Sequence, residues 1–298
     1  MQFGFTCAEC LLRTQMDRIR IQQDSEKKLA CAREVFSILA NAPEGVAAPF
    51  LVPLFDEAFS RYFGSETDPQ QLLKRHSNRI MLERLPRLRE TVFAAEDPLL
   101  AALQVSRIGN YIDFAALGSG VDFSKLDELL NSALTFPVDA EEYRRFRKDL
   151  ESARSFLLVS DNAGEIVLDR LVLEVLAEQF PAVSRTVCVR GAPALNDALR
   201  EDAEEAGLQE FARIIDNGSN IPGMELAHLG CEAREALKAA DVILAKGQAN
   251  LETMLGCGKN IYYLFLCKCV RFTQMFRVPA MTGMFLNDRR VGPIDILA

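Results

Sequence analysis

Four segments of this chain place side chains able to hold a divalent cation and an anionic oxygen directly after short apolar runs. SFLLVS (155–160) leads into Asp161-Asn162-Ala163-Gly164-Glu165, and RTVCVR (185–190) into a loop ending Asn196-Asp197. RIID (213–216) closes on Asp216-Asn217-Gly218, and DVILAK (241–246) ends in Lys246-Gly247-Gln248-Ala249-Asn250. Carboxylates and amide carbonyls are hard oxygen donors suited to Mg²⁺ or Mn²⁺, which keep waters in their remaining positions. Asp161, Asn162 and Asp197 form one such donor set. Lys246 supplies a point charge that fits a phosphate. Asp, Asn and Gly are also ordinary turn and cap residues, which accounts for one or two such ends. Four of them on one rim point to a site.

The elements that must bring these ends together follow from periodicity. From about residue 154, β-branched and apolar runs, including a fifth at NIYYLFL (260–266), alternate with helical stretches at 165–180 and 231–240. Strands alternating with helices need crossover connections. They imply an α/β fold with a doubly wound, mostly parallel sheet and helices on both faces, whose ligands bind beyond the carboxyl ends of the strands. Before residue 150 the spacing is helical, at 27–40, 48–63 and 96–117, with breakers and caps between and no good strand. Two units are expected: a helical domain over 1–150, serving as a cap with substrate contacts, and an α/β domain over 151–298.

Composition narrows the partners. The 298 residues carry a formal net charge of −8, which argues against a general nucleic-acid binder. No apolar run approaches the roughly 18 residues of a membrane span. The N-terminus, MQFGFTCAEC, does not read as a signal peptide, so a cytoplasmic location and mostly reduced cysteines are expected for the eight thiols. Only two histidines are present, His76 and His228, which disfavours histidine-rich metal sites, and His228 reads as structural. There is no GxGxxG after a strand, no phosphate-loop motif and no GxSxG elbow, which weakens dehydrogenase, kinase and esterase readings.

Taken together, DNAGE (161–165), RGAPALNDA (190–198), DNGSNIPG (216–223) and KGQANLE (246–252) resemble the damage-control phosphatases, formerly domain of unknown function 89. The resemblance extends to GNYID (109–113). It also takes in Cys7-Ala8-Glu9-Cys10, which looks like the mainly prokaryotic CxxC-bearing subfamily. It implies metal-dependent hydrolysis of phosphate esters, often sugar phosphates or damaged phosphometabolites, with Mn²⁺, Mg²⁺, Co²⁺ or Ni²⁺. The family's metal-binding Asp-Asn pair matches Asp161 and Asn162, and its third acidic ligand matches Asp197. Lys246, Asn110 and Asp113 match residues used near the substrate.

The expected activity is therefore hydrolysis of a small phosphorylated metabolite by a metal-activated water, with Asp161, Asn162 and Asp197 as metal ligands. Lys246, Asn110, Asp113, Asp216 and Asn217 are expected beside the substrate, with Glu165 as a secondary candidate for orienting water. Two other readings stand beside it. One is a non-catalytic sensor that binds metal and a phosphometabolite. The other is a carboxyl methyltransferase, for which the first strand lacks a glycine-rich loop beyond Gly164. Cys7 and Cys10 with Cys267 and Cys269 offer a four-thiolate zinc site or, at Cys7/Cys10, a redox pair.

Overall fold

The strands of the α/β half form where apolar side chains occupy both parities, so that both faces of the sheet are buried. In the computed structural model, which describes residues 1–65, 67–112 and 123–291, they assemble into one six-stranded sheet. The strands are β1 (Ser155–Val159), β2 (Ser184–Val189), β3 (Arg213–Asp216), β4 (Val242–Lys246), β5 (Ile261–Cys267) and β6 (Thr282–Asn287). Their order is β3-β2-β1-β4-β5-β6, with β1 to β5 mutually parallel and β6 antiparallel on β5. The α/β reading holds. The edge strand β6 is an addition that the sequence reading left unassigned.

Parity divides the core. Phe156, Leu158, Val187, Val242 and Leu244 face one layer, whereas Leu157, Val159, Cys188, Ile243 and Ala245 face the other. The described helices are α1 (Phe5–Arg20), α2 (Ser25–Ala40), α3 (Val52–Phe63), α4 (Thr67–Phe93), α5 (Pro98–Gly109), α6 (Phe123–Asn131), α7 (Ala140–Ser152), α8 (Glu165–Gln179), α9 (Arg200–Glu205), α10 (Cys231–Ala239), α11 (Gly247–Met254) and α12 (Val270–Phe276). Among the described residues no strand precedes Ser155.

The change of grammar near residue 150 does not coincide with a boundary in the core. Met81, Leu85 and Val92 of α4 and Leu99 to Ile108 of α5 belong to the same apolar cluster as β1, β2, β4 and α8. Only α1 to α3 keep a cluster of their own, around Ile19, Cys31, Val35, Leu51, Phe55 and Phe59. Later helices of the first half are therefore a wall of the α/β core. Among the described residues, no helix is long and apolar enough to cross a membrane.

Candidate active site

Strand order reverses between β1 and β4, and there the crossovers leave to opposite faces and open a crevice. The loops that leave these two strands carry Asp161-Asn162 and Lys246-Gly247. The loop after β2 is sewn to the first: Asn162 and Asp197 form an isolated antiparallel bridge. In that seam Ala163 N donates to Asn196 O at 2.9 Å, and Ala198 N donates to Asp161 O at 2.7 Å. Asp161, Asn162 and Asp197 are thus gathered on one rim, each no more than 6% exposed.

Side chains lock the arrangement. Asn162 Nδ2 donates to Asp161 Oδ2 at 2.7 Å and to Glu165 Oε2 at 2.9 Å. Asn110 Nδ2, at the end of α5, donates to the same two oxygens at 2.9 and 3.0 Å. Two amides therefore bridge two carboxylates. Only a nitrogen can serve two carboxylates, so the network fixes the Asn162 rotamer and turns its Oδ1 elsewhere. Asp197 is held by Arg190, whose Nε donates to Oδ2 at 2.5 Å. Arg190 also donates from Nη2 to Ser160 O and Asn250 Oδ1.

Lys246 sits differently from its expected role. It is fully buried, and its ammonium reaches Glu165 Oε1 at 2.6 Å, Asp169 Oδ1 at 2.7 Å and Ser106 O at 3.3 Å. An ammonium has three donors, and all three are engaged. The physical reason is strand parity: Lys246 shares the face of Val242 and Leu244, which α5 and α8 cover. Burial pushes the Asp169 carboxyl up to about 6, opposed by Lys246 and reinforced by Glu165. Although burial lowers it, the Lys246 pKa is raised on balance by Asp169 and Glu165, so the ammonium stays charged.

Asp216 and Asn217 have other tasks as well. Asn217 fastens loops: its Oδ1 accepts from Gly191 N at 2.9 Å and Ser219 N at 3.0 Å, and its Nδ2 donates to Gly223 O. Asp216 is half-buried, caps its own turn through Gly218 N at 3.0 Å and lies 3.6 Å from Arg200. Asp113 lies outside the described residues. His228 packs its ring 5.2 Å from that of Phe50.

Among the described residues, no group of three or more His, Cys, Asp or Glu side chains gathers as a metal cage. Of the four cysteines, Cys7 and Cys267 are buried, Cys269 is half-buried and Cys10 is exposed. Burial pushes the Cys267 and Cys269 thiols up to about 11. Asp161, Asn162 and Asp197 bring two carboxylates and one amide together on the rim.

Several site residues were missed. Asp169 lies four after Glu165 in the largely apolar first half of the helix, a spacing that puts both acids on one face. Lys268 follows β5 on the same rim, half-buried, and its Nζ donates to Asn110 O at 2.6 Å. Its backbone N–H and that of Cys269 donate to Gln248 Oε1. Asn78 of α4 accepts from Gly164 N at 2.6 Å through Oδ1, and its Nδ2 donates to Asp202 and Glu205. Nothing local in the sequence of α4 marks Asn78.

Comparison with known proteins places this geometry. The chain is 30% identical over 273 residues to a damage-control phosphatase of Archaeoglobus fulgidus, covering 90% of this chain and 93% of that protein. It is 29% identical over 273 residues to an uncharacterized protein of Methanocaldococcus jannaschii, covering 88% of each. A damage-control phosphatase of Pyrococcus horikoshii is 31% identical over 179 residues, covering 60% of this chain and 61% of that protein. The fold matches the crystal structure of a DUF89 family protein from Pyrococcus horikoshii with a TM-score of 0.81. That match covers 97% of this chain and 99% of the other at 24% identity. The sequence profile described as "Damage-control phosphatase ARMT1-like domain" spans residues 5–281, and the chain belongs to that phosphatase family.

Proposed function

We propose that this phosphatase is metal-dependent and hydrolyses small phosphorylated metabolites, with sugar phosphates or damaged phosphometabolites as the substrate class. The observation that carries the reading is the charge of the buried cluster at the strand ends. Asp161, Glu165, Asp169 and Asp197 bring four negative charges against the positive charges of Lys246 and Arg190, all within groups at most 6% exposed. Among the described residues the buried carboxylates here outnumber the buried cations, a setting that a divalent cation would suit. Asp161, Asn162 and Asp197 would hold that ion. Their hard oxygens suit Mn²⁺ or Mg²⁺, and carboxylate and amide oxygens also accept Co²⁺ and Ni²⁺. When bound, the ion polarises a phosphoryl oxygen and makes a water more acidic.

The chain's own residues do the rest. Asn110 and Asn162 orient the Asp161 carboxylate, Arg190 orients that of Asp197, and Lys246 holds Glu165. Both Glu165 oxygens are engaged, so Glu165 is a positioning residue rather than a proton carrier. Phosphate charge falls to Lys268, whose half-buried ammonium stands beside Asn110 on the rim. Water is the favoured nucleophile, because a carboxylate gripped by two amides and a metal is a blunted one. Asp161→Ala, assayed on p-nitrophenyl phosphate and sugar phosphates with Mn²⁺, is expected to abolish turnover. Undiminished turnover would sink the assignment. A metal- and ester-dependent thermal shift in the unsubstituted protein with no phosphate release would make it a sensor instead.

A further inference from the structure

A cleft of about 170 Å³ lies between α4 and the seam that joins the two acidic loops. One wall is Gln70, Leu73, Lys74 and Ser77, spaced to share a single helix face. The opposite wall is Ala163, Leu195 and Asn196. Ala163 directly follows Asn162, Asn196 directly precedes Asp197, and the two are hydrogen-bonded to each other. The cleft therefore ends one residue away from two of the three proposed metal ligands. Asn78 continues the same helix face and accepts from Gly164 N at 2.6 Å, which ties the α4 wall to the turn that carries those ligands.

Two features mark this cleft as more than a packing gap. Leu195 sits in the left-handed region at φ +49°, a conformation that a bulky L-residue holds only when its surroundings impose it. Strain of that kind, next to reactive groups, points to a side chain placed for a purpose. Across from it Leu73 is 47% exposed, an apolar surface left uncovered at the mouth. Among the described lining residues the cation is Lys74, and it is engaged: it is 5% exposed and its Nζ lies 2.8 Å from Asp202. The cleft thus offers two leucine walls and uncharged polar edges from Gln70, Ser77 and Asn196. Among its described lining residues there is no cation left over for a second anion. Its volume of about 170 Å³ is small beside the roughly 300–1,000 Å³ of ligand pockets in general.

We infer that Leu195 and the facing side of α4 form the specificity pocket for the organic part of the phosphate ester, admitting short uncharged groups and rejecting nucleosides and second phosphates. This rests on the phosphatase reading, because the reacting phosphoryl group must sit at Asp161, Asn162 and Asp197 for the cleft to receive the remainder. Leu195→Gly tests it without endangering the fold, since glycine relieves the left-handed strain while removing the wall. Leu73→Trp provides the opposite change from an exposed helix position.

The assay is kcat/KM with Mn²⁺ for glycerol 3-phosphate and for a nucleoside 5′-monophosphate, together with calorimetric binding of both esters. Leu195→Gly is expected to shift the ratio about tenfold toward the nucleotide, the scale on which an apolar pocket discriminates small groups. Leu73→Trp is expected to raise KM for glycerol 3-phosphate about tenfold at nearly unchanged kcat. Ratios that move less than twofold in both variants overturn the pocket and leave the phosphatase reading standing. If the unsubstituted protein binds the esters without releasing phosphate, the phosphatase reading fails and the affinity ratios alone judge the pocket. If it binds neither ester, both fail.

Discussion

Gly247→Ala should disable the site while leaving the protein folded. Gly247 follows Lys246 at φ +74°, and a Cβ built on it would stand 1.9 Å from Asp161 Oδ2. Ordinary van der Waals contact begins near 3.4 Å, so the methyl group is short of room by about 1.5 Å. The carboxylate cannot yield cheaply, because Asn110 and Asn162 grip it at 2.9 and 2.7 Å. Nor can β4 yield cheaply, with Lys246 bonded beneath it. A misplacement of about 1 Å at a catalytic group costs roughly 10²-fold, so Mn²⁺-dependent turnover of p-nitrophenyl phosphate should fall by at least about that factor. The metal-induced rise in Tm should shrink with it. Gly256→Ala isolates the backbone component, because Gly256 has φ +81° but nothing within 4 Å of its added Cβ. That control should lose about 1 kcal/mol of stability and keep its activity. A folded Gly247→Ala protein with half or more of normal turnover would refute the reasoning, as would a Gly256→Ala protein equally impaired.

Two further outcomes test the buried network. Lys246→Met leaves Glu165 and Asp169 uncompensated in a dry site and should cost about 3–5 kcal/mol in urea denaturation, whereas unchanged stability with a raised KM would return Lys246 to the substrate. Asp169 carries a raised pKa of about 6 in the fold, so between about pH 4 and 6 it binds more proton folded than unfolded. Its ionisation therefore opposes folding, and stability should decline as pH rises through that window. Asp169→Asn should flatten that part of the Tm–pH curve, and parallel curves for the two proteins would remove the explanation.

The sheet was legible because its central strands are apolar at both parities, a pattern that survives any detail of packing. The rim followed from it, since parallel strands must put their carboxyl ends on one side. β6 was not legible: Thr282–Asn287 contains Gly283, is mostly half-buried, and pairs antiparallel at an edge. Its place depends on β5 already being there. The burial of Lys246 was legible in principle, through its parity with Val242 and Leu244 and the Glu165–Asp169 spacing on α8. Read only as the end of a strand, it looked like a point charge available to phosphate. Asn78 and Lys74 had no local signal, because a polar residue on a long helix reads as a solvated face until the partner surface is known. The same holds for the missing core boundary near residue 150, since amphipathic helices do not declare what they cover.

The way the two halves share a core explains how the site keeps its geometry. Ser106 on α5 and Asn110 at its C-cap lie one turn apart, and each reaches an acid on α8 or in the loop after β1. Ser106 Oγ donates to Asp169 at 2.6 Å, and Asn110 joins Glu165 to Asp161. This requires the two helices to approach closely, and Gly109 permits it: an added Cβ there would lie 3.0 Å from Glu165 Cα. The spacing of the carboxylates is therefore set by apolar packing between α5 and α8, within the largest cluster of the molecule. The cleft wall is different, because Leu73 on this face of α4 is 47% exposed. Substitutions that retune the organic part of the substrate can accumulate on that face without disturbing the metal ligands. Changes between α5 and α8 alter stability and chemistry together.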